Sequence, residues 1–236
     1  MSTSHPNEAI LSPSRSLKGA LLIDLDGTVM NSDPYHFEAF QKTCDKYGAK
    51  IDEEIFRTRI SGHTNEEICA ELFPHIDKSR HAEIADEKEA LFRELLERGA
   101  EPIAGLPELL SRARAKNWGL ALVTNAPIAN QQAILAGVGL SDAFDILISA
   151  DELPRGKPDP LPYRTAMERL GVAPENSVAF EDAIPGLTAA VRAGVPTIGL
   201  RTSLAEETLL QAGAALAIRD YHDPRLRPFL LSHIEG

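Results

Sequence analysis

From Ile103 onward, short apolar runs alternate with amphipathic stretches of about ten residues, and that rhythm admits few architectures. Residues 120–123, 146–148, 178–180, 197–200 and 214–218 read as strands, and residues 128–136, 161–170, 186–193 and about 204–211 as helices between them. Strands joined by helical crossovers predict a parallel sheet covered on both faces. An earlier apolar run, residues 21–24, supplies its first strand. Residues 33–102 contain no convincing strand. A helix is expected over 34–47, with Asp33 as N-cap and Pro34 at the first helical position. A short helix over 52–60 follows, then one opened by Thr64 and Glu67 at capping-box spacing, then a long one over 79–98 stopped by Gly99. The expected organisation is therefore α/β: a Rossmann-like parallel core from residues 18–32 and 103–236, helices on both faces, and an α-helical cap of residues 33–102 inserted after the first strand. Hinges fall near 31–34 and 99–103, so the cap is expected to act as a lid. Residues 1–17 read as a flexible polar tail, and a terminal helix is expected around 227–233.

A formal charge of −11 over 236 residues argues against a nucleic-acid or anionic-membrane surface, while leaving room for a local cationic site. No stretch is apolar enough to span a membrane, and the N-terminus lacks the apolar core of a secretory signal. Cys44 and Cys69 have neither disulfide-framework nor metal-ligand spacing, which fits a reducing, cytoplasmic setting.

In open parallel sheets ligands bind beyond the carboxyl ends of the strands. The first strand ends in Asp24-Leu25-Asp26-Gly27-Thr28, two carboxylates two residues apart before a glycine. Thr124-Asn125 follows the second strand, Gly156-Lys157-Pro158 follows the third, and Glu181-Asp182 follows the fourth. Taken singly, each has an ordinary reading. Thr124 and Asn125 suit a helix cap, Lys157 a solvated charge, and Glu181-Asp182 an acidic helix start. Their common edge is what makes them a candidate site: carboxylates, an ammonium, a hydroxyl and an amide together suit a phosphoryl group and a hard cation. Mg²⁺ takes oxygen ligands, which Asp24 and Asp182 can supply with Glu181 nearby. Thr124 and Lys157 can stabilise charge on transferring oxygens. One carboxylate can act as nucleophile, and a second, two residues away, as acid and base.

These motifs, in this order over about residues 18–200, resemble the haloacid dehalogenase-like hydrolase superfamily. A helical cap between the first and second motifs resembles the branch of phosphoglycolate phosphatases and β-phosphoglucomutase-like proteins. The resemblance implies Asp24 as nucleophile and Asp26 as general acid/base, with Thr124 and Lys157 holding the phosphoryl group and Asn125 beside them. It implies Mg²⁺ bound by Asp24, Asp182 and the main-chain carbonyl of Asp26, supported by Glu181. Asp26 itself favours phosphate esters, since a leaving alkoxide needs a proton. His36 in the cap entry, and His63, Thr64 and Asn65 in a segment resembling the specificity loop, are candidate substrate contacts. Asn65 stands where mutases of the branch carry an arginine for a second phosphate. The expected activity is hydrolysis of small phosphate monoesters, phosphoglycolate or sugar phosphates, through an aspartyl-phosphate. A β-phosphoglucomutase-like phosphomutase is the alternative. The expected partner is a small phosphorylated metabolite, with no nucleic acid or membrane. The oligomeric state is left open.

Overall fold

The computed structural model describes residues 16–60 and 64–234. In chain order the elements are β1 (Ala20–Ile23), α1 (Asp33–Tyr47), α2 (Glu53–Ile55), α3 (Asn65–Leu72), α4 (His81–Leu96), α5 (Leu106–Ala115), β2 (Gly119–Thr124), α6 (Ile128–Gly137), β3 (Ile146–Ser149), α7 (Leu161–Leu170), β4 (Ser177–Glu181), α8 (Ile184–Arg192), β5 (Thr197–Leu200), α9 (Glu206–Gln211), β6 (Leu216–Ile218) and α10 (Leu226–Ile234). The chain divides into two compact units.

Among the described residues, the first unit comprises residues 16–29, 103–126 and 141–234. Its six strands pair in parallel in the order β3-β2-β1-β4-β5-β6, the sheet class expected. The strand order reverses between β1 and β4, where doubly wound sheets place their ligands. Residues of β1, β2, β4 and β5 are all buried, as sheets covered on both faces require. Alternation sends Ala20, Leu22, Ala121, Val123 and Ala179 to the face covered by α7 and α8. The small side chains on that face let the helices approach closely. Against the other face α5 packs on β2 and α10 on β4.

α5 was not anticipated, although Leu106, Leu109, Leu110 and Ala113 follow helical spacing and Pro107 sits in its first turn. α8 begins at Ile184 rather than Gly186, because Pro185 is accommodated in the first turn. β6 begins at Leu216 rather than at residue 214.

Among the described residues, the second unit comprises residues 30–60, 64–102 and 127–140. Residues 127–140, assigned above to the α/β part, carry α6, which joins the inserted helices through hydrogen bonds. Asn130 Oδ1 accepts from Arg93 Nη1 at 2.9 Å, and its Nδ2 donates to Glu89 Oε2 at 2.7 Å. The N-cap position of α1 falls on Ser32, which makes no side-chain cap bond, and Asp33 is the first helical residue. The helix expected over 52–60 is α2 followed by a wide π turn, Phe56–Ile60. The long helix is shorter than expected: a 3₁₀ turn over Lys78–Arg80 leads into α4.

At the centre of this unit is a buried polar network. Glu89 Oε1 accepts from Lys88 Nζ at 2.7 Å and from Asn65 Nδ2 at 2.9 Å. Lys88 Nζ also lies 3.2 Å from His36 Nδ1, and the His36 ring stacks on Phe92 at 3.9 Å. Burial alone would raise the pKa of Glu89, but the Lys88 ammonium and the two amides outweigh it and hold the carboxyl below its usual value. A carboxyl that releases its proton more readily in the folded state adds stability above its unfolded pKa of about 4.3, and that stability is lost as pH falls through the lower folded value. Melting temperature should therefore fall as the solution is acidified below about pH 4.3. Glu89→Gln should flatten that dependence in thermal melts between about pH 3 and 6.

Candidate active site

The parallel register builds the site. Ile23 pairs with Leu122 on one side and Phe180 on the other, so the next residue, Asp24, stands level with Val123 and Glu181. The Asp24 amide donates to the Phe180 carbonyl at 3.0 Å, which keeps the strand extended to the point where its carboxylate leaves it. By alternation Asp24 and Glu181 point to the α7 face. There the loop before α7 delivers Lys157, whose Nζ donates to Asp24 Oδ1 and Glu181 Oε1 at 2.5 Å each. All three side chains are at least nine-tenths buried. The Lys157–Pro158 peptide is cis.

Asp182 completes the group: one oxygen each from Asp24, Glu181 and Asp182 lie within 4.8 Å of one another. Its approach depends on a glycine. Gly27 has φ +69°, and a Cβ there would fall 2.1 Å from Asp182 Oδ2. Glycine also serves at Gly186, where a Cβ would lie 2.0 Å from the Glu181 carboxylate. Gly27 of the first motif and Gly186, five residues beyond Glu181, thus leave room for the carboxylates of the fourth.

Burial is the main reason the pKa of Asp24 stands well above the usual carboxylate range. Repulsion from Glu181 and Asp182 adds to it, and Lys157 opposes it. Burial would lower Lys157, but attraction and hydrogen bonds from Asp24 and Glu181 win and raise it. Three carboxylates face one ammonium, an excess of two formal negative charges. A divalent cation with hard oxygen preference fits that donor set and that charge.

The remaining expected core residues share this unit. Asp26 is half-buried at the turn that follows β1. Thr124, at the end of β2, accepts from the Ala126 amide at 2.9 Å through its Oγ1. α6 itself starts without a side-chain cap, so Thr124 shapes the turn before that helix rather than capping it. Asn125 holds the Lys157 backbone from both sides: Oδ1 accepts from its amide at 2.9 Å and Nδ2 donates to its carbonyl at 3.0 Å. A side chain on Gly156 would strike Asn125 Oδ1, with the Cβ at 2.7 Å. The amide of the second motif thereby orients the lysine of the third.

The expected cap contacts belong to the helical unit. Thr64 caps α3: Oγ1 accepts from the Glu67 amide at 3.3 Å, and Glu67 Oε2 reaches back to the Thr64 amide at 2.9 Å. Asn65 and His36 belong to the Glu89–Lys88 network. His63 lies outside the described residues.

Sequence reasoning missed three neighbours of the core site. Tyr163, fully buried on α7, donates from its hydroxyl to Glu181 Oε1 at 2.5 Å. Ser203 Oγ donates to Asp182 Oδ2, and Thr202 Oγ1 donates to the Gly27 carbonyl at 2.6 Å. Thr202 and Ser203 follow β5, a fifth strand end that could have been read like the other four. Tyr163 has no such signal, because a tyrosine on an apolar helix stripe reads as core.

Comparison with known proteins places the chain in a family. A family model described as haloacid dehalogenase-like hydrolase matches residues 21–200. A phosphorylated carbohydrates phosphatase of Thermotoga maritima is 33% identical over 207 residues, 85% of this chain and 94% of that protein. A validoxylamine A 7′-phosphate phosphatase of Streptomyces hygroscopicus is 31% identical over 210 residues, covering 83% and 91% of the two chains. The structure of CbbY from Rhodobacter sphaeroides in complex with phosphate superposes with a TM-score of 0.76 at 28% identity, covering 87% of this chain and 95% of that one. With motif, fold and family model coinciding over the same residues, the chain belongs to the haloacid dehalogenase-like hydrolase family.

Proposed function

We propose that this protein is a Mg²⁺-dependent phosphatase of small phosphorylated metabolites, of the sugar-phosphate or phosphoglycolate type, working through an aspartyl-phosphate on Asp24. The observation that carries this reading is the Asp24 carboxylate held beside the Lys157 ammonium, with Glu181 and Asp182 within reach of one cation. The names of the relatives, phosphatases of phosphorylated carbohydrates and of validoxylamine A 7′-phosphate among them, support the substrate class.

In this reading an Asp24 oxygen attacks phosphorus, and the bond from phosphorus to the leaving oxygen breaks. Asp26 gives that oxygen its proton, so the leaving group departs as a neutral alcohol. Asp26 then takes a proton from water, whose oxygen attacks phosphorus. The Asp24–phosphorus bond breaks and inorganic phosphate leaves. Lys157 offsets charge on the phosphoryl oxygens, and the Thr124 hydroxyl adds a donor. Asn125 keeps Lys157 in place by its two backbone bonds. Asp24, Asp182 and the Asp26 carbonyl would hold Mg²⁺, with Glu181 in support; the ion supplies positive charge that keeps Asp24 ionised and screens its approach to an anionic phosphate.

The test is phosphate release from a panel of small esters, with Mg²⁺ or with EDTA. Release that needs the metal is expected, and the preferred ester names the leaving group. If no ester releases phosphate while β-glucose 1-phosphate is isomerised in the presence of a bisphosphate, the mutase alternative replaces the phosphatase. Asn65 counts against that outcome, since by resemblance it stands where such mutases carry an arginine, and its amide donates to Glu89.

A further inference from the structure

The loop between β5 and α9, residues 201–205, carries two adjacent hydroxyls that the proposed reaction leaves without a part. Thr202 Oγ1 donates to the Gly27 carbonyl at 2.6 Å, and Ser203 Oγ donates to Asp182 Oδ2. The two acceptors belong to the first and fourth motifs, 175 and 21 positions away in the chain. They also adjoin each other. A Cβ on Gly27 would fall 2.1 Å from Asp182 Oδ2 and 3.1 Å from Thr202 Oγ1, so the turn after Asp26, the Asp182 carboxylate and the Thr202 hydroxyl converge.

The loop that presents these hydroxyls is itself held on both sides of them. The Arg201 amide donates to the Ile218 carbonyl at 2.8 Å, just past the pairing of Leu200 with Ile218. Leu204 packs on the cluster of Leu187, Leu209, Ala214 and Ala217. A donor fixed in this way restricts its acceptor in turn. The Asp182 carboxylate can otherwise rotate about its side-chain bonds. Gly27, at φ +69°, has the backbone freedom of a residue without a Cβ. Ser203 limits the first motion and Thr202 the second.

Given the Mg²⁺ site proposed for Asp24, Asp182 and the Asp26 carbonyl, on which this reading rests, we infer that Thr202 and Ser203 are positioning residues that favour Mg²⁺ over Ca²⁺. They do so by keeping Asp182 and the turn after Asp26 from moving. Groups that orient a metal's ligands from behind typically set about 10–100-fold in affinity. The two ions differ in what they tolerate. Mg²⁺ needs oxygens near ideal positions at about 2.0–2.1 Å, whereas Ca²⁺ accepts a looser set at about 2.3–2.6 Å. Freedom returned to one ligand therefore penalises Mg²⁺ more than Ca²⁺.

Calorimetric titration of the full chain with MgCl₂ and, separately, with CaCl₂ tests this, with thermal melts in EDTA beside it. Ser203→Ala, at an exposed position, should weaken Mg²⁺ about tenfold or more and Ca²⁺ by less than about threefold. Thr202→Val, which removes the other hydroxyl and keeps the branched shape, should move both ions in the same direction. Ser203→Thr, which keeps a hydroxyl, should hold Mg²⁺ affinity within about threefold of native. A merely structural role would lower the melting temperature in EDTA and leave both affinities unmoved. That result, or an equal loss for the two ions, overturns the inference and leaves the Mg²⁺ site standing. If the native chain binds no Mg²⁺ saturably, the site itself falls and the inference falls with it.

Discussion

Asp24→Asn should abolish phosphate release and, in EDTA, melt at a higher temperature than the native chain. The first effect follows from losing the attacking oxygen. Removing a nucleophile that works as part of a coupled set typically costs about 10⁴-fold or more. The second follows from the electrostatics of the empty carboxylate cluster. Burial first, then Glu181 and Asp182, lift the Asp24 pKa, and Lys157 does not fully offset them. Such a carboxyl binds its proton more tightly folded than unfolded. As pH rises above the unfolded value of about 3.9, the unfolded chain gives up its proton first, and stability is lost until the folded value is passed. Asparagine cannot ionise and escapes that loss. The gain should read as several degrees, since each kcal/mol moves Tm by about 2–4 °C in a chain of this size. With Mg²⁺ the order should reverse: a ligand at 100 times its Kd stabilises by about 2.7 kcal/mol, and the variant has lost a ligand oxygen. Scanning calorimetry with and without the metal checks both halves. A lower melting temperature for the variant in EDTA would mean that the bond to Lys157 dominates the burial of Asp24.

Lys157→Ala should be the most damaging change to the metal-free fold. Its ammonium stands between Asp24 and Glu181, and without it both remain buried with no counter-charge. Breaking a buried ion pair by deleting one partner costs about 3–5 kcal/mol, a large share of a typical folding free energy of about 5–15. Phosphate release should fall by about 10²-fold or more, the scale of losing one strong donor to a charged transition state. Lys157→Arg should not restore it, because the guanidinium is a broader group with a fixed fork and the native side chain is only 5% exposed. Mg²⁺ should recover part of the lost stability by supplying positive charge to the same carboxylates. The pH dependence separates this from a general loss of packing. A lysine whose folded pKa is raised contributes its full stabilisation below the unfolded value of about 10.4 and loses it as pH rises through the folded value. Native protein should therefore lose stability on alkaline titration above about pH 10, and the alanine variant should show less of that loss.

Much of this molecule follows from short-range pattern. The parallel sheet was legible because apolar runs and helical stretches alternate, and that periodicity belongs to each segment alone. The capping box at Thr64 and Glu67 formed as expected, since both partners lie within one turn. The cap expected at Asp33 falls one position earlier, on Ser32, and Asp33 becomes the first helical residue, where its negative charge suits the helix N-terminus.

The polar residues at four strand ends could be named from the sequence, since parallel sheets bring their carboxyl ends to one edge. Their partners could not. Lys157 and Asp24 are 133 positions apart, and only folded packing brings them to 2.5 Å. The same holds for Tyr163 on Glu181 and Ser203 on Asp182, side chains of ordinary type whose role arises from position in space. Lys88 sits on a helix stripe that reads as apolar core, and Glu89 beside it, with Asn130 behind that carboxylate, helps make its burial tolerable. Asn130 comes from a helix that the chain order assigns to the sheet domain. Residue type and period state which groups a chain can bring to a site. Which oxygen meets which ammonium depends on distances between remote segments, and those are set by packing of the whole fold rather than by any stretch of sequence.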